Sequence, residues 1–257
     1  MMRRRAVALA VSCAGAVSGC GRVGFDVADV RRDAGSIDAP TDAPIDGAPS
    51  PVVYVGPFVQ RSTGAGPTDS FLAQARAAGD AVLIQVTCSG TAIPTGASVT
   101  AAGWSFTQLG PITASSQSSE RSATFAAIAP DAVRTTVSLS WTGSNCGGGK
   151  NHVGDEFAMT DPAGGTLTFD AANATEGQGN CVGTVRTGHA GDAVWAACDS
   201  ESSVTAVGAA FTKAADDGVG DWSEYAITDH PAGTLVPVEF TNDNVGYVLS
   251  MVTLKPR

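Results

Sequence analysis

Short apolar runs separated by Gly, Pro and Asp recur along residues 52–257 and predict β-strands joined by turns. In segment 135–141, Val137, Leu139 and Trp141 alternate with hydroxyl residues, as in a strand with one buried face. Segment 245–254 is the longest apolar run, which predicts a strand in the middle of a sheet. The pattern favours an all-β protein.

The other strands are predicted from the same two patterns, and no long helix is expected. Segment 71–78 favours either a short helix or a strand. The remaining predicted strands are 52–55, 81–88, 104–109, 123–129, 154–159, 166–169, 181–187, 193–198, 204–212, 222–228 and 235–240. Frequent Gly/Pro/Asp punctuation is typical of an antiparallel β-sandwich.

The sequence Ala-Gly-Asp-Ala-Val occurs twice, at 78–82 and at 190–194. Gly accepts a positive φ and Asp bonds its own backbone, so each copy predicts a turn that leads into a strand. Asp80 and Asp192 are therefore interpreted as turn residues and not as catalytic acids. The repeat predicts two similar halves of one jelly-roll-like sandwich.

The N-terminus has the order of a secretion signal. Arg3, Arg4 and Arg5 precede a short apolar segment, 6–17, that is too short to span a bilayer. Val-Ser-Gly-Cys at 17–20 then resembles the bacterial lipoprotein signal, in which the cysteine is acylated. The resemblance implies a signal peptide at 1–19 and lipid on Cys20. The alternative is an ordinary secretory peptide with an incidental cysteine.

Residues 20–51 predict a disordered linker after the lipid site. The part from 33 to 51 is rich in Asp, Ala and Pro and has no Lys or Arg, so it cannot bury a core. Gly21 follows the cysteine where an Asp would indicate retention at the inner membrane in enterobacterial lipoproteins. The expected location is the bacterial cell envelope, on the outer membrane, facing the periplasm or the exterior.

The charge of the chain excludes some partners. The net charge is −10, and it becomes −13 once the three arginines leave with the signal. An acidic protein is a poor ligand for nucleic acid or for anionic lipid, so membrane contact is expected through the lipid anchor only.

Four cysteines remain in the predicted domain, 52–257: Cys88, Cys146, Cys181 and Cys198. An even number outside the cytoplasm predicts two disulfides, with three pairings open. Cys181 and Cys198 lie symmetrically about 188–191, which resembles a hairpin loop, so we expect Cys181–Cys198 and Cys88–Cys146. Four buried free thiols are the alternative.

The strands of 52–257 resemble a β-sandwich domain of bacterial surface proteins, similar also to phage-tail and lectin-like domains. The resemblance rests on Gly-Asp-Ala-Val-Leu at 79–83, Ala-Gly-Trp at 102–104, the Thr-rich strand ending at Trp141, and Trp-Ser-Glu-Tyr at 222–225. Ala101, Ser105 and the added cysteines depart from the pattern. It implies a surface domain and transfers no catalytic residue.

Local catalytic motifs are missing from the sequence. His152, His189 and His230 lack the spacing of a zinc motif, and there is no Gly-x-Ser-x-Gly elbow. The run Gly-Gly-Gly-Lys at 147–150 lacks the phosphate-loop spacing, since position 144 is Ser and position 151 is Asn. The chain is expected not to be an enzyme.

Two places could bind a ligand. Asp216, Asp217 and Asp221 lie in a Gly-rich loop that calcium would accept, although a solvated acidic turn has the same composition. No other cofactor is expected. Trp222, with Glu224 and Tyr225, could present an aromatic contact for a glycan, with packing as the alternative.

The leading hypothesis is a lipid-anchored, non-enzymatic binding or adhesion module for a glycan or a surface protein. The first alternative is a structural envelope lipoprotein without a small ligand. The second is an extracytoplasmic hydrolase whose site is assembled from distant residues.

Overall fold

The computed structural model describes residues 52–159, 167–228 and 230–256, which contain strands and turns and no α-helix. The predicted signal peptide (1–19), Cys20 and the linker (20–51) lie outside the described residues. In chain order the strands are β1 (Val52–Thr63), β2 (Thr68–Ala73), β3 (Ala81–Thr87), β4 (Gly96–Ala101), β5 (Thr107–Gln108), β6 (Thr113–Ala114), β7 (Arg121–Ile128), β8 (Thr135–Thr142), β9 (Lys150–Met159), β10 (Leu167–Gln178), β11 (Cys181–Arg186), β12 (Ala193–Ser200), β13 (Ala206–Val207), β14 (Thr212–Asp216), β15 (Trp222–Ile227), β16 (Leu235–Thr241) and β17 (Gly246–Pro256).

The strands form four antiparallel sheets, two in each half of the domain. In the first half, inner sheet 1 has the order β1-β9-β3-β7-β5, with β6 also paired to β7, and outer sheet 1 has the order β2-β8-β4. In the second half, inner sheet 2 has the order β10-β17-β12-β15-β14, and outer sheet 2 has the order β11-β16-β13. The all-β, antiparallel fold class predicted from the sequence is therefore present.

The two halves repeat one strand order. Each strand of inner sheet 1 has a counterpart at the same place in inner sheet 2: in order, β1, β9, β3, β7 and β5 correspond to β10, β17, β12, β15 and β14. The strands of the two outer sheets correspond in the same way. The predicted similarity of the halves thus extends to the pairing of their strands.

Three apolar cores lie between four layers. One core fills the space between the sheets of the first half, and another does so in the second half. A third core joins the two inner sheets through residues such as Leu83 and Trp195. We expected both halves to share one sandwich, whereas each half forms its own. The reason is that β3 and β12 are buried along their whole length and need a layer on each face.

The turns before β3 and β12 have the geometry that their sequence predicts. Gly79 and Gly191 have φ values of 91° and 77°. The Asp80 carboxylate accepts the Ala77 N–H at 2.9 Å, and the Asp192 carboxylate accepts the His189 N–H at 3.0 Å. Both aspartates therefore close turns, each three residues after its donor.

Both predicted disulfides are present, Cys88–Cys146 and Cys181–Cys198, with Cα–Cα distances of 4.9 and 6.3 Å. The hairpin that suggested the second pairing is not present. β11 pairs with β16 in outer sheet 2, while β12 pairs with β15 and β17 in inner sheet 2. The turn at 188–191 therefore crosses between layers, and Cys181–Cys198 links the two sheets through their core.

Several strands differ in extent from their sequence patterns. The apolar run that ends the chain, β17, lies between β10 and β12, as predicted for a central strand. Segment 71–78 contributes the end of strand β2. Segment 104–109 contains only the short strand β5, and segment 204–212 contains β13 and the first residue of β14, while Trp104 and Val204 contribute to cores from loops.

Candidate functional site

The predicted aromatic contact does not form one surface. Trp222 packs against the core of the second half, and Lys213 Nζ lies 3.3 Å from its ring centroid. Glu224 is fully buried, and its carboxylate accepts the Gly208 N–H at 2.9 Å. Tyr225 points to the opposite face of β15 and stacks on Tyr54, with ring centroids 4.2 Å apart. Strand alternation separates these side chains, so they cannot contact one sugar together.

The burial of Glu224 has an electrostatic consequence. Desolvation raises its pKa from 4.5 to about 8, and repulsion from the Glu239 carboxylate adds to the rise, while backbone N–H donors at Gly208 and Glu239 offset only part of it. A neutral carboxyl group inside a core is structural in character. Trp222 is the member of the predicted set that keeps partial exposure next to a charged partner.

The predicted calcium loop divides into two parts. Asp216 forms an ion pair with Lys213, with 2.6 Å between Oδ2 and Nζ. Asp217 Oδ1 accepts the backbone N–H groups of Val219, Gly220 and Asp221 at 2.9–3.1 Å. Asp216 is therefore already paired with the Lys213 ammonium. Asp217 stabilises the turn with one carboxylate oxygen, and its other oxygen has no hydrogen-bond donor.

Two further acids, which the sequence patterns did not indicate, lie beside this loop. Asp199 near the end of β12 and Glu120 just before β7 interact electrostatically with Asp221. Asp199 and Asp221 are 0% and 1% exposed. We call Glu120, Asp199, Asp217 and Asp221 the carboxylate cluster.

The carboxylate cluster is buried with only some of its oxygens hydrogen-bonded, since Asp217 Oδ1 accepts three backbone N–H groups and Asp221 Oδ1 accepts the Ser200 N–H at 3.3 Å. Desolvation raises the pKa of Asp199 and Asp221 well above the usual range for aspartate, and the neighbouring acids raise it further. Within the described ranges, five oxygens of the cluster have no hydrogen-bond donor: Asp199 Oδ1 and Oδ2, Asp217 Oδ2, Asp221 Oδ2 and Glu120 Oε2. Unpaired buried carboxylates require an explanation.

A second group of possible metal ligands is already neutralised by a side chain. Atoms of Asp170, His189 and Asp192 lie within 4.8 Å of one another. Lys255 Nζ lies 3.1 Å from Asp170 Oδ1 and 3.2 Å from His189 Nε2. The Lys255 ammonium therefore already supplies a positive charge to Asp170 and contacts His189.

Within the described residues, the histidine rings form hydrogen-bond contacts only with carboxylates and with the Lys255 amine. His152 is fully buried, and its Nε2 lies 3.1 Å from Asp69 Oδ2. His189 contacts Asp170 and Lys255. Among the hydrogen bonds of residues 52–159, 167–228 and 230–256, no histidine ring contacts a serine, threonine or cysteine side chain. A nucleophile–base pair is therefore not assembled in this part of the chain. The non-enzyme expectation stays a prediction.

The outer surface of outer sheet 1 forms an open polar groove of about 550 Å³. Its outward-pointing lining side chains are all hydroxyls: Thr68, Ser70, Ser98, Thr100, Ser138 and Ser140. They lie in cross-strand rows, because β8 pairs with β2 on one side and β4 on the other. Each hydroxyl can both donate and accept a hydrogen bond.

Comparisons with family models, with curated proteins and with solved structures find no match for this chain. Among the described residues, no helix has the length and apolar character needed to cross a membrane.

Proposed function

We propose that this protein is a lipid-anchored, extracytoplasmic binding module whose ligand is a glycan bound on outer sheet 1. The anchor is Cys20, and the compartment is the bacterial envelope, on the outer membrane. The signal-like order of basic, apolar and small residues before Cys20 supports the anchor. Two disulfides support an oxidising compartment.

The observation that carries the glycan proposal is the hydroxyl-lined groove. A polyol ligand offers alternating donors and acceptors, and six outward hydroxyls in paired rows can match them without ionic contacts. The groove runs across the three strands of outer sheet 1 and is open to solvent. Glycan binding in this groove would depend on hydrogen bonds, so we expect a weak affinity for each single site. Several sites that engage one surface together would bind it more tightly.

The other half of the protein provides an internal comparison. The corresponding face of outer sheet 2 exposes a mixed set: Val182, Thr184, Arg186, Leu235, Pro237 and Glu239. The same strand order therefore exists without a hydroxyl surface. The uniform Ser/Thr face of the first half is a property of that surface and not a requirement of the fold.

The test is a glycan array probed with the lipidated protein in detergent micelles, with calcium and with chelator. We expect binding that Ser138→Arg reduces at least tenfold, because a long cationic side chain on the central strand β8 fills the groove. Thr184→Arg, on the exposed face of outer sheet 2, is the matched control and should bind as the unaltered protein does.

Two results would overturn the proposal. Binding that survives Ser138→Arg but is lost in Trp222→Ala would move the site to β15. An array without any bound glycan, for a folded protein, would favour the structural envelope lipoprotein.

A further inference from the structure

Asp199 is the most unusual polar residue of the described chain. Its side chain is fully buried, and neither carboxylate oxygen has a hydrogen-bond donor. Its carboxyl group lies within hydrogen-bonding reach of the Asp221 carboxyl group, a contact that requires a proton or a cation between them. A buried anion without such a partner would be very unfavourable.

Three further carboxyl groups of the carboxylate cluster interact with Asp199. Asp217 Oδ2, Asp221 Oδ2 and Glu120 Oε2 are also buried without donors. No ion pair of the described residues includes any member of the carboxylate cluster. Arg121 donates from Nη1 to the backbone carbonyl groups of Ser115, Ser118 and Glu120, and its charge offsets only part of the rise in the Glu120 pKa. Five buried oxygens of the carboxylate cluster therefore have neither a hydrogen-bond donor nor an ion-pair partner.

The internal duplication shows that the fold does not need acids there. Aligning the two Ala-Gly-Asp-Ala-Val segments places Thr87 at the position of Asp199. The pairing of β3 with β7 and of β12 with β15 places Ser122 at the position of Asp221. Thr87 and Ser122 are buried hydroxyl residues, each 1% exposed. The second half therefore has two carboxyl groups where the first half has two neutral hydroxyl residues. This difference indicates a positively charged ligand.

We propose that Glu120, Asp199, Asp217 and Asp221 bind a hard divalent cation of the calcium class. Calcium prefers six to eight oxygen ligands, including carboxylates and carbonyl groups, in a flexible arrangement. A set with only carboxylate side chains disfavours zinc and copper, which prefer nitrogen or sulfur. Asp217 is partly exposed, so the loop 216–221 gives the ion a path from solvent.

The cation would contract the carboxylate cluster. No three of these acids have oxygen atoms all within 4.8 Å of one another. Repulsion between carboxylates favours that spacing, whereas calcium–oxygen distances of about 2.3–2.6 Å require a closer approach. Rotation of the Asp217 and Glu120 side chains, which lie in loops, would provide it.

The proposed ion would join the two halves of the protein. Glu120 belongs to the first half, and the other three ligands belong to the second. The loop before Glu120 already contacts the second half, since Ser116 Oγ donates to Glu176 at 2.8 Å and Ser119 N donates to Glu201 at 3.1 Å. Cation binding should therefore stabilise the contact between the halves as well as the loop 216–221.

The experiment uses the lipidated protein in micelles, stripped with chelator and titrated with calcium chloride. We expect saturable binding of one ion and a rise in melting temperature of about 5–10 °C at 100 times the dissociation constant. Terbium should bind in the same place and luminesce on excitation of the nearby Trp222. Excess calcium should quench that luminescence.

Asp199→Thr is the decisive variant, because it installs the residue that the first half carries. It should fold, lose the calcium-dependent rise in melting temperature, and lose terbium luminescence. Asp170→Asn, in the acidic group next to Lys255, is the matched control and should keep both responses. Unchanged melting of the stripped protein with millimolar calcium would overturn the proposal and favour a proton shared by Asp199 and Asp221. A calcium response retained by Asp199→Thr would also overturn it.

Discussion

The indole N–H of Trp195 donates a hydrogen bond of 2.7 Å to Asp155 Oδ2, between the two inner sheets. Asp155 lies on β9 of the first half and Trp195 on β12 of the second. The same carboxylate accepts the Tyr54 hydroxyl at 3.0 Å and the Ser223 hydroxyl at 2.5 Å. Two donors thus come from the second half and one from the first, so this buried network specifies how the halves align.

A second polar contact across the same interface has the same effect. Gln85 Nε2 donates to the Ala197 carbonyl at 3.1 Å and to Ser250 Oγ at 3.0 Å. Thr124 also donates to Ser250, at 2.7 Å. An apolar interface of Leu, Val and Ala tolerates sliding, whereas directional hydrogen bonds do not. The two networks therefore provide specificity that the third core alone would lack.

Trp195→Phe should lower the free energy of unfolding by at least about 2 kcal/mol, since it removes a donor to a buried carboxylate and leaves a small cavity. Urea unfolding followed by circular dichroism measures the change. Trp222→Phe is the control and should cost less than about 1 kcal/mol, because Trp222 is half-buried and loses mainly its contact with Lys213. Equal losses in the two variants would contradict a special role for the Asp155 network.

Stability should decrease as the pH rises from about 5 to about 8.5. Burial raises the folded-state pKa of Asp155 to about 6, that of Glu156 to about 7 and that of Glu224 to about 8. Their unfolded values are lower, so the folded state holds more protons and loses stability as each group ionises. For the fully buried Asp155 the shift corresponds to roughly 3 kcal/mol.

The pH experiment is best done in the Asp199→Thr background, which removes the proposed cation site. Glu224→Gln should flatten the upper part of the profile, between about pH 7 and 8.5. Below about pH 4 the trend should reverse, because Asp69 and Asp170 have lowered pKa values and lose their partners on protonation. A stability that rises steadily from pH 5 to 8.5 would contradict the proposed burial of these acids.

Removing Cys88–Cys146 should destabilise the protein more than removing Cys181–Cys198. The sequence separations are 58 and 17 residues, and the chain-entropy model gives about 4 and about 3 kcal/mol for loops of these lengths. Paired Cys→Ala variants compared by urea unfolding measure the difference. The opposite order would show that packing in the second core outweighs the constraint on the unfolded chain.

Most of the long strands were predictable because each carries its own local signal, whereas β4, β6, β14 and most of β10 were missed. The apolar runs of β3 and β12 and the alternation of β8 identify them without knowledge of their neighbours. The number of layers was not predictable in this way. A strand buried on both faces has the same sequence in a shared sandwich as in two stacked ones, and only the partner sheets distinguish them.

The carboxylate cluster was half predictable for a related reason. Asp217 and Asp221 stand in one Gly-rich loop, so the sequence places them together. Asp199 follows an apolar run that was expected to end at Cys198, whereas β12 continues to Ser200. Glu120 comes from the other half, and only the packing of its loop brings it near Asp199. Contacts set by register between distant strands leave no local pattern.

Cys20→Ala should release the protein from membranes into the soluble fraction. If the signal at 1–19 is processed at Cys20, the acyl chains are the attachment, and each buried CH₂ contributes about 0.8 kcal/mol to it. Cys13→Ala is the matched control, because Cys13 lies in the predicted signal segment and the variant should leave attachment unchanged. Labelling with a clickable palmitate analogue should mark the unaltered protein and the Cys13→Ala variant but not Cys20→Ala. Membrane attachment of Cys20→Ala, without label, would show that a protein surface and not lipid makes the contact.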